Sequence, residues 1–149
     1  MLRAIPDKWY SWNYNVFDNK TAIASITNHW DFSIFADDAD YSIYSESFFS
    51  NVHILGTGGT VLARAEKPNT FSRSYKVDYN DNLYILEAKT FILWKFVLRK
   101  DGRIIGEMYP EPFFSRKATI DFPESLPLVI RIFLARLVIT EWQSSPDGT

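Results

Sequence analysis

The sequence contains no cysteine among its 149 residues and only two histidines, His29 and His53. Disulfide bridges and thiolate metal ligands are therefore excluded, which favours a reducing compartment. Two histidines without cysteine argue against a structural zinc site, and neither lies in a recognisable hydrolase triad. We interpret both as structural or surface residues and expect no cofactor and no metal.

A catalytic signature is also missing. Glu87, Glu107 and Glu111 lie near aromatic residues, but their spacing does not bring two carboxylates together for glycosidase or protease chemistry. Residues 57–60, Thr-Gly-Gly-Thr, lack the Lys-Ser/Thr of a phosphate loop and are better explained as a hairpin turn. The acidic stretch 37–40 lacks the glycine and distal glutamate of a calcium loop, which favours a solvated turn. The sequence therefore predicts a protein that is not an enzyme.

Charge and hydropathy narrow the class further. The net charge is −2, and no block of like charge is long enough to form a polybasic nucleic-acid arm. Because the chain is slightly acidic overall, we expect no nucleic-acid partner. The N-terminus lacks an apolar stretch of signal-peptide length. We therefore expect a cytoplasmic protein, with a peripheral position at a membrane left open.

The most informative segment is the strongly apolar stretch 126–142 near the C-terminus. Twelve of its seventeen residues are Leu, Ile, Val, Phe, Ala or Trp, and at 100° per residue they fall on every side of a helix. A helix that is apolar all round must be enclosed. The pattern predicts a helix over about 125–143, followed by a flexible tail over 144–149.

A membrane span is the alternative interpretation of this segment. Crossing the hydrocarbon layer takes about 20 apolar residues, but Arg131, Arg136 and Glu141 interrupt a shorter stretch. Central arginines cost about 2.5 to 3.5 kcal/mol each on insertion scales. We therefore expect a helix buried within the protein and no transmembrane segment.

The rest of the chain resembles a series of short strands within a single domain, 1–149. Twelve Phe, eight Tyr and five Trp suit a sheet. Hairpins are predicted over 16–24, 54–62 and 97–105, and the pair Asp101-Gly102 suits a type I′ turn. Further strands are predicted over 30–35, 41–45, 71–79, 83–88 and 113–122. A propeller is disfavoured because only about three and a half such units fit, and at least four blades are needed. The sequence predicts a mainly β, barrel-like fold, an antiparallel meander of about ten to twelve strands closed around the apolar helix.

Alternation assigns faces on two of these strands. In 91–100, the even positions form an apolar stripe that we expect to pack on the helix: Ile92, Trp94, Phe96 and Leu98. Lys95 and Arg99 then point outward. In 71–79, Arg73 shares a face with the odd-numbered aromatic residues, so we expect it to be partly enclosed and paired.

These features together resemble a known group. An aromatic-rich meander leads to the hairpin Asp101-Gly102 with Ile-Ile-Gly-Glu after it, then to 113–120, Phe-Phe-Ser-Arg-Lys-Ala-Thr-Ile, and to an apolar terminal helix. This pattern resembles the Tubby C-terminal-like superfamily, which includes the LURP-one-related proteins and the phospholipid scramblases. The resemblance covers nearly the whole chain. It implies a barrel of about twelve strands threaded by its last helix, with recognition of anionic lipid.

One set of residues is a candidate binding surface, which we call the predicted basic face: Lys95, Arg99, Lys100, Arg103, Arg116 and Lys117. Such a cluster suits phosphorylated headgroups or an acidic partner. The alternative is a solvated sheet face whose lysines block edge pairing. The sequence thus predicts a non-enzymatic binding or scaffold domain for anionic phospholipid at a membrane surface. The alternative is a protein-interaction domain with no lipid role, and the oligomeric state is left open.

Overall fold

In a computed structural model, the chain forms twelve strands and one helix. The structure describes residues 1–8, 11–27, 32–36, 39–45, 51–89, 92–111 and 116–144. The elements are β1 (Leu2–Pro6), β2 (Tyr14–Asp18), β3 (Thr21–Thr27), β4 (Phe32–Ala36), β5 (Ala39–Ser45), β6 (Val52–Thr57), β7 (Thr60–Glu66), β8 (Ser74–Tyr79), β9 (Asn82–Lys89), β10 (Ile92–Lys100), β11 (Arg103–Pro110), β12 (Ala118–Asp121) and α1 (Leu128–Ser144).

The twelve strands form one closed antiparallel barrel. Each strand pairs with its neighbour in the sequence, and β1 pairs with β12 to close the sheet. At the closure, Leu2 lies opposite Ile120 and Ala4 lies opposite Ala118. The predicted closed meander of ten to twelve strands is therefore confirmed.

The barrel encloses α1. Every residue from 132 to 139 is buried, although these residues point to all sides of the helix. Twelve strands about 4.8 Å apart and tilted by about 40° give a radius of about 12 Å. This leaves room for a helix of about 5 Å radius and the inward side chains of the wall. The enclosed terminal helix predicted from the sequence is thus confirmed. Within the described residues, no helix has the length and apolar character needed to cross a membrane.

The helix begins later than the sequence pattern predicts. It runs from Leu128 to Ser144 rather than over 125–143. Pro127 explains the start, because a residue that precedes proline is disfavoured from the helical region. The carbonyl of Pro127 then accepts the first hydrogen bonds, from the amides of Ile130 and Arg131 at 3.0 and 3.1 Å. Residues 145–149 of the predicted tail lie outside the described part of the chain.

Tight turns gather at one end of the barrel, which we call the hairpin end. Two-residue turns join β2 to β3, β6 to β7, β8 to β9 and β10 to β11. Asp101 and Gly102 have φ of 52° and 77°, and Gly58 and Gly59 have 55° and 81°. These values fit the type I′ geometry predicted for Asp101-Gly102 and the turn predicted at 57–60. Helix α1 enters the barrel at this end.

The opposite end, which we call the loop end, carries the longer connections and the C-terminus of α1. There the Trp142 indole Nε1 donates a hydrogen bond of 2.9 Å to the Trp94 carbonyl on β10. The predicted stripe on β10 is present where it is described, since Phe96 and Leu98 are fully buried and Trp94 packs on the core. The side chain of Ile92 lies outside the described residues.

Two strands are shorter than predicted. β8 starts at Ser74 instead of Phe71, because the side chain of Asn69 accepts the Phe71 amide at 3.0 Å and holds a turn there. β12 starts at Ala118, so Arg116 and Lys117 precede the strand, and residues 112–115 lie outside the described part.

Candidate functional site

The structure does not bring the predicted basic face together. Lys100 and Arg103 flank the turn at the hairpin end, where they are paired across β10 and β11. Lys117 lies at the loop end, where its carbonyl accepts the Glu111 amide at 2.8 Å. Arg103 is the first residue of β11 and Glu111 directly follows its last, and eight residues of extended chain span roughly 26 Å. The six bases are thus divided between two ends and the wall between them.

Carboxylates on the neighbouring strands neutralise the two bases on the wall. Lys95 contacts Glu107 at 2.8 Å, and Arg99 contacts Glu87 at 2.6 Å. These carboxylates are two of the three weighed above as catalytic groups, and each faces a different base on the outer wall. The wall therefore presents ion pairs and offers little net charge to a ligand.

The third carboxylate is also engaged. Glu111 receives two hydrogen bonds from the Arg3 guanidinium, at 2.6 and 2.9 Å. This hydrogen bonding is the main cause of a pKa of Glu111 below its ordinary value. Glu111 is therefore an ionised partner of Arg3 at neutral pH.

A second set of polar residues lies inside the barrel at the loop end, around the last turns of α1. We call it the mouth cluster. Its members are Tyr14, His53, Lys67, Tyr75, Arg116, Arg136 and Glu141. Four of them have a displaced pKa, namely Tyr14, His53, Tyr75 and Arg136. Because displaced pKa values concentrate at functional sites, this cluster is the stronger candidate site.

Glu141 is the acceptor at the centre of the cluster. Its Oε1 accepts a hydrogen bond from the Lys67 ammonium and another from the Tyr75 hydroxyl, both at 2.7 Å. Burial and the nearby carboxylate raise the pKa of the Tyr75 phenol well above its ordinary value. Tyr75 therefore stays protonated and acts as a hydrogen-bond donor.

Arg136 places a positive charge in the interior. Its side chain is 3% exposed, and its guanidinium donates to the Thr140 hydroxyl one turn along the helix. Burial lowers the pKa of Arg136 to about 10, against the opposing influence of Tyr75 and Tyr14. The group therefore remains charged at neutral pH.

His53 is held neutral by the same surroundings. Burial, then the charges of Arg136 and Lys67, lower the pKa of His53 below its ordinary value, and Glu141 opposes them. Its ring meets the Tyr75 ring edge-on, with 5.9 Å between centroids. The interpretation of His53 as a structural residue thus has a physical basis, although the histidine lies inside the barrel.

Arg116 connects the cluster to the rim. Its guanidinium carbon lies 4.7 Å from the centroid of the Trp12 ring, and its carbonyl accepts the Tyr14 hydroxyl at 3.1 Å. Burial raises the pKa of Tyr14 to about 12, with Arg116 and Arg136 opposing. Nitrogen Nη2 of Arg116 is buried, and no hydrogen-bond partner for it lies in the described part of the chain. A buried guanidinium nitrogen without an acceptor is costly, so an anion bound there gains a strong donor.

The charges around the mouth do not balance among the described residues. Arg73 adds to the cluster, because alternation places it on the same face of the chain as the buried Tyr75, and it is half-buried. Lys67, Arg73 and Arg116 thus lie in a cluster with one carboxylate, Glu141, which is already paired with Lys67. The C-terminal end of α1 contributes only about half a negative charge. A positive excess remains, and the groups that carry it are hydrogen-bond donors, as an anion site requires.

The hairpin end has the opposite character. Its described bases are Lys20, Lys100, Arg103 and Arg131, together with Arg3, which is paired with Glu111, and its described acids are Asp18, Asp40, Asp78, Asp81, Asp101, Asp121 and Glu124. A cleft of about 520 Å³ beside the start of α1 includes Asp18, Glu124 and Arg131 in its lining. The Arg131 Nε donates to the Leu126 carbonyl at 3.1 Å, so this guanidinium already has a local acceptor. The cleft is therefore a poor site for an anion.

Two further candidates from the sequence, His29 and the acidic stretch 37–40, can be placed only in part. His29, Asp37 and Asp38 lie outside the described residues. Asp40 lies in β5, and its carbonyl accepts the Thr57 hydroxyl at 3.1 Å.

No protein-family model matches this chain, and searches of curated proteins and of solved structures found no significant match.

Most of the mouth cluster was not predicted as a site. One signal was present in the sequence, since Arg136 and Glu141 interrupt a helix that otherwise must be enclosed. Buried charges need partners, so these two residues predict a polar cluster at their level of the barrel. No local sequence pattern identifies Lys67 and Tyr75 as the partners of Glu141, because they lie 74 and 66 residues from it in the chain.

Proposed function

We propose that this protein is a non-enzymatic binding domain that recognises an anionic, phosphorylated headgroup at a membrane surface through its loop end. The observation that carries the proposal is the excess of positive charge in the mouth, with the buried Nη2 of Arg116 lacking an acceptor among the described residues. Guanidinium and ammonium groups together suit phosphate oxygens through charge-assisted hydrogen bonds.

A membrane surface is favoured over a free anion because further bases lie on the rim. Lys89, at the end of β9, and Lys117, just before β12, are both exposed at the loop end. Each base near an anionic bilayer contributes about 1 kcal/mol. The acidic hairpin end is repelled by the same surface, so the charge distribution favours one orientation. The resemblance to the Tubby C-terminal-like superfamily supports the same ligand class.

Co-sedimentation with phosphatidylcholine vesicles, with and without phosphatidylserine, tests the proposal. We expect binding only to the anionic vesicles, weaker at a physiological salt of about 0.15 M than at low salt. The double variant Lys89→Glu/Lys117→Glu should bind at least about 30-fold more weakly, since two contributions of about 1 kcal/mol are lost. Soluble glycerophosphate, added as a competitor, should not displace the protein if the membrane surface is required.

The matched control is Lys100→Glu/Arg103→Glu, which makes the same charge change at the hairpin end. We expect it to bind like the unmodified protein. If this control loses binding and the loop-end variant does not, the site belongs to the β10–β11 turn of the predicted basic face. Absence of binding to either vesicle at low salt would contradict the proposal and favour the protein-interaction alternative.

A further inference from the structure

Phe71 is the most exposed large apolar side chain among the described residues. It is 95% exposed, whereas the next, Met1 at the start of the chain, is 68% exposed. Single exposed apolar side chains are common on protein surfaces, but most keep part of their area in contact with the fold. Phe71 contributes almost no packing, so its exposure calls for a reason outside the stability of the barrel.

Hydrogen bonds hold the turn that carries Phe71. The side chain of Asn69 accepts the Phe71 amide at 3.0 Å, and the carbonyl of Asn69 accepts the Ser72 amide at 3.2 Å. The Lys67 ammonium reaches the Thr70 carbonyl at 3.4 Å, and the Arg73 carbonyl accepts the Ala88 amide at 3.1 Å. The turn is thus tied to the barrel on both sides, and it presents the ring of Phe71 outward in a defined place.

This turn lies at the loop end, next to the bases of the mouth. It joins β7 to β8, so Lys67 and Arg73 flank Phe71 in the chain. Lys89 lies on β9, the strand next to β8. It directly follows Ala88, whose amide donates to the Arg73 carbonyl. An exposed aromatic ring therefore lies among the bases assigned above to the membrane-facing end.

We infer that Phe71 is an insertion anchor, which enters the boundary between headgroups and acyl chains when the loop end meets an anionic bilayer. The inference rests on the proposed function and adds an apolar contribution to its electrostatic one. Apolar side chains beside bases are the composition that binds the interfacial layer. Transfer of the Phe71 ring from water into the bilayer, wholly or in part, should strengthen membrane binding by roughly tenfold or more.

A bilayer fits this residue better than a protein partner does. Aromatic hot spots of protein interfaces lie at the centre of packed patches, ringed by neighbours that exclude water. The chain neighbours of Phe71 are polar instead, namely Asn69, Thr70 and Ser72. Because the described residues leave the Phe71 ring almost fully exposed, the ring needs an apolar phase that can surround it.

The test compares Phe71→Ala with Leu83→Ala in vesicle binding at physiological salt. Leu83 is 51% exposed on β9 near the hairpin end. Its variant therefore removes a comparable apolar group from the end that does not face the membrane. On phosphatidylcholine vesicles containing phosphatidylserine, we expect Phe71→Ala to bind roughly tenfold more weakly. Leu83→Ala should bind like the unmodified protein, and Phe71→Trp should keep or strengthen binding. The salt dependence of Phe71→Ala should be unchanged, because no charge is removed.

The outcomes separate this inference from the proposal beneath it. Equal affinities for Phe71→Ala and the unmodified protein would overturn the insertion anchor while the proposed function stands, and would leave Phe71 as a contact for a protein partner. Absence of binding by the unmodified protein overturns both. Because the ring is almost fully exposed, Phe71→Ala should unfold at the same temperature as the unmodified protein, and that measurement confirms that the variant is folded.

Discussion

Replacing Phe133 by alanine should lower the free energy of unfolding by about 3 to 5 kcal/mol. Phe133 is fully buried, near the middle of α1, with the barrel wall around it. Removing the ring takes away its transfer free energy and leaves a cavity that a closed barrel cannot collapse to fill. Urea unfolding followed by circular dichroism measures the change.

The matched control is Ile104→Ala on the outer wall, where the side chain is 49% exposed. It should cost less than about 1 kcal/mol, because little burial is lost. If Phe133→Ala reduces stability too far for the protein to fold, Ile132→Val gives a measurable loss of about 0.5 to 1.5 kcal/mol at the neighbouring, fully buried position. Equal effects of the inner and outer variants would contradict an enclosed helix.

Replacing Glu141 by alanine should also cost about 3 to 5 kcal/mol. The substitution removes the acceptor shared by Lys67 and Tyr75, and it leaves an ammonium and a hydroxyl in a part of the barrel that already holds the charge of Arg136. Breaking one partner of a buried ion pair is more harmful than replacing both with apolar groups. Thermal or urea unfolding of purified variants checks this.

A double-mutant cycle separates the ion pair from the packing. Its corners are Lys67→Met, Glu141→Leu and their combination, and the combination should be less destabilised than Glu141→Leu alone, because it leaves no Lys67 ammonium without its carboxylate. Glu141→Gln keeps an oxygen acceptor and should have an intermediate effect. It should also keep or tighten binding to anionic vesicles, because the mouth loses its carboxylate. A loss below about 0.5 kcal/mol for Glu141→Ala would mean that water reaches the cluster and screens it.

Much of the fold could be predicted because its signals are local. Asp101-Gly102 predicts its own turn through the φ values it accommodates, and alternation on β10 separates Phe96 and Leu98 from Lys95 and Arg99. The all-round apolar helix requires a container, and a chain of short strands supplies one only by closing on itself. None of these inferences depends on which residues that are far apart in the chain contact one another.

The candidate site depends on contacts between residues that are far apart in the chain. The sequence was less informative about these contacts. The partner of Lys95 follows from the register of β10 and β11, which shifts at Leu98/Arg99, and the partner of Arg99 follows from the register of β9 and β10, which shifts between Ile92 and Phe96. The basic side chains of 116–117 look equivalent in sequence, yet the guanidinium of Arg116 packs on Trp12 while Lys117 is exposed. The turn before β8 depends on a side-chain hydrogen bond that competes with strand pairing.

The central claim is that the loop end is the end that meets a membrane, and site-specific fluorescence tests it most directly. Because the chain has no cysteine, a single introduced cysteine carries an environment-sensitive fluorophore at one known place. Thr70→Cys labels the loop end and Thr21→Cys labels the hairpin end, and both positions are exposed. On phosphatidylserine-containing vesicles, we predict a blue-shifted emission from the label at 70 and an unchanged emission from the label at 21. A shift confined to position 21, or no shift at either position while the protein co-sediments, would contradict the claim.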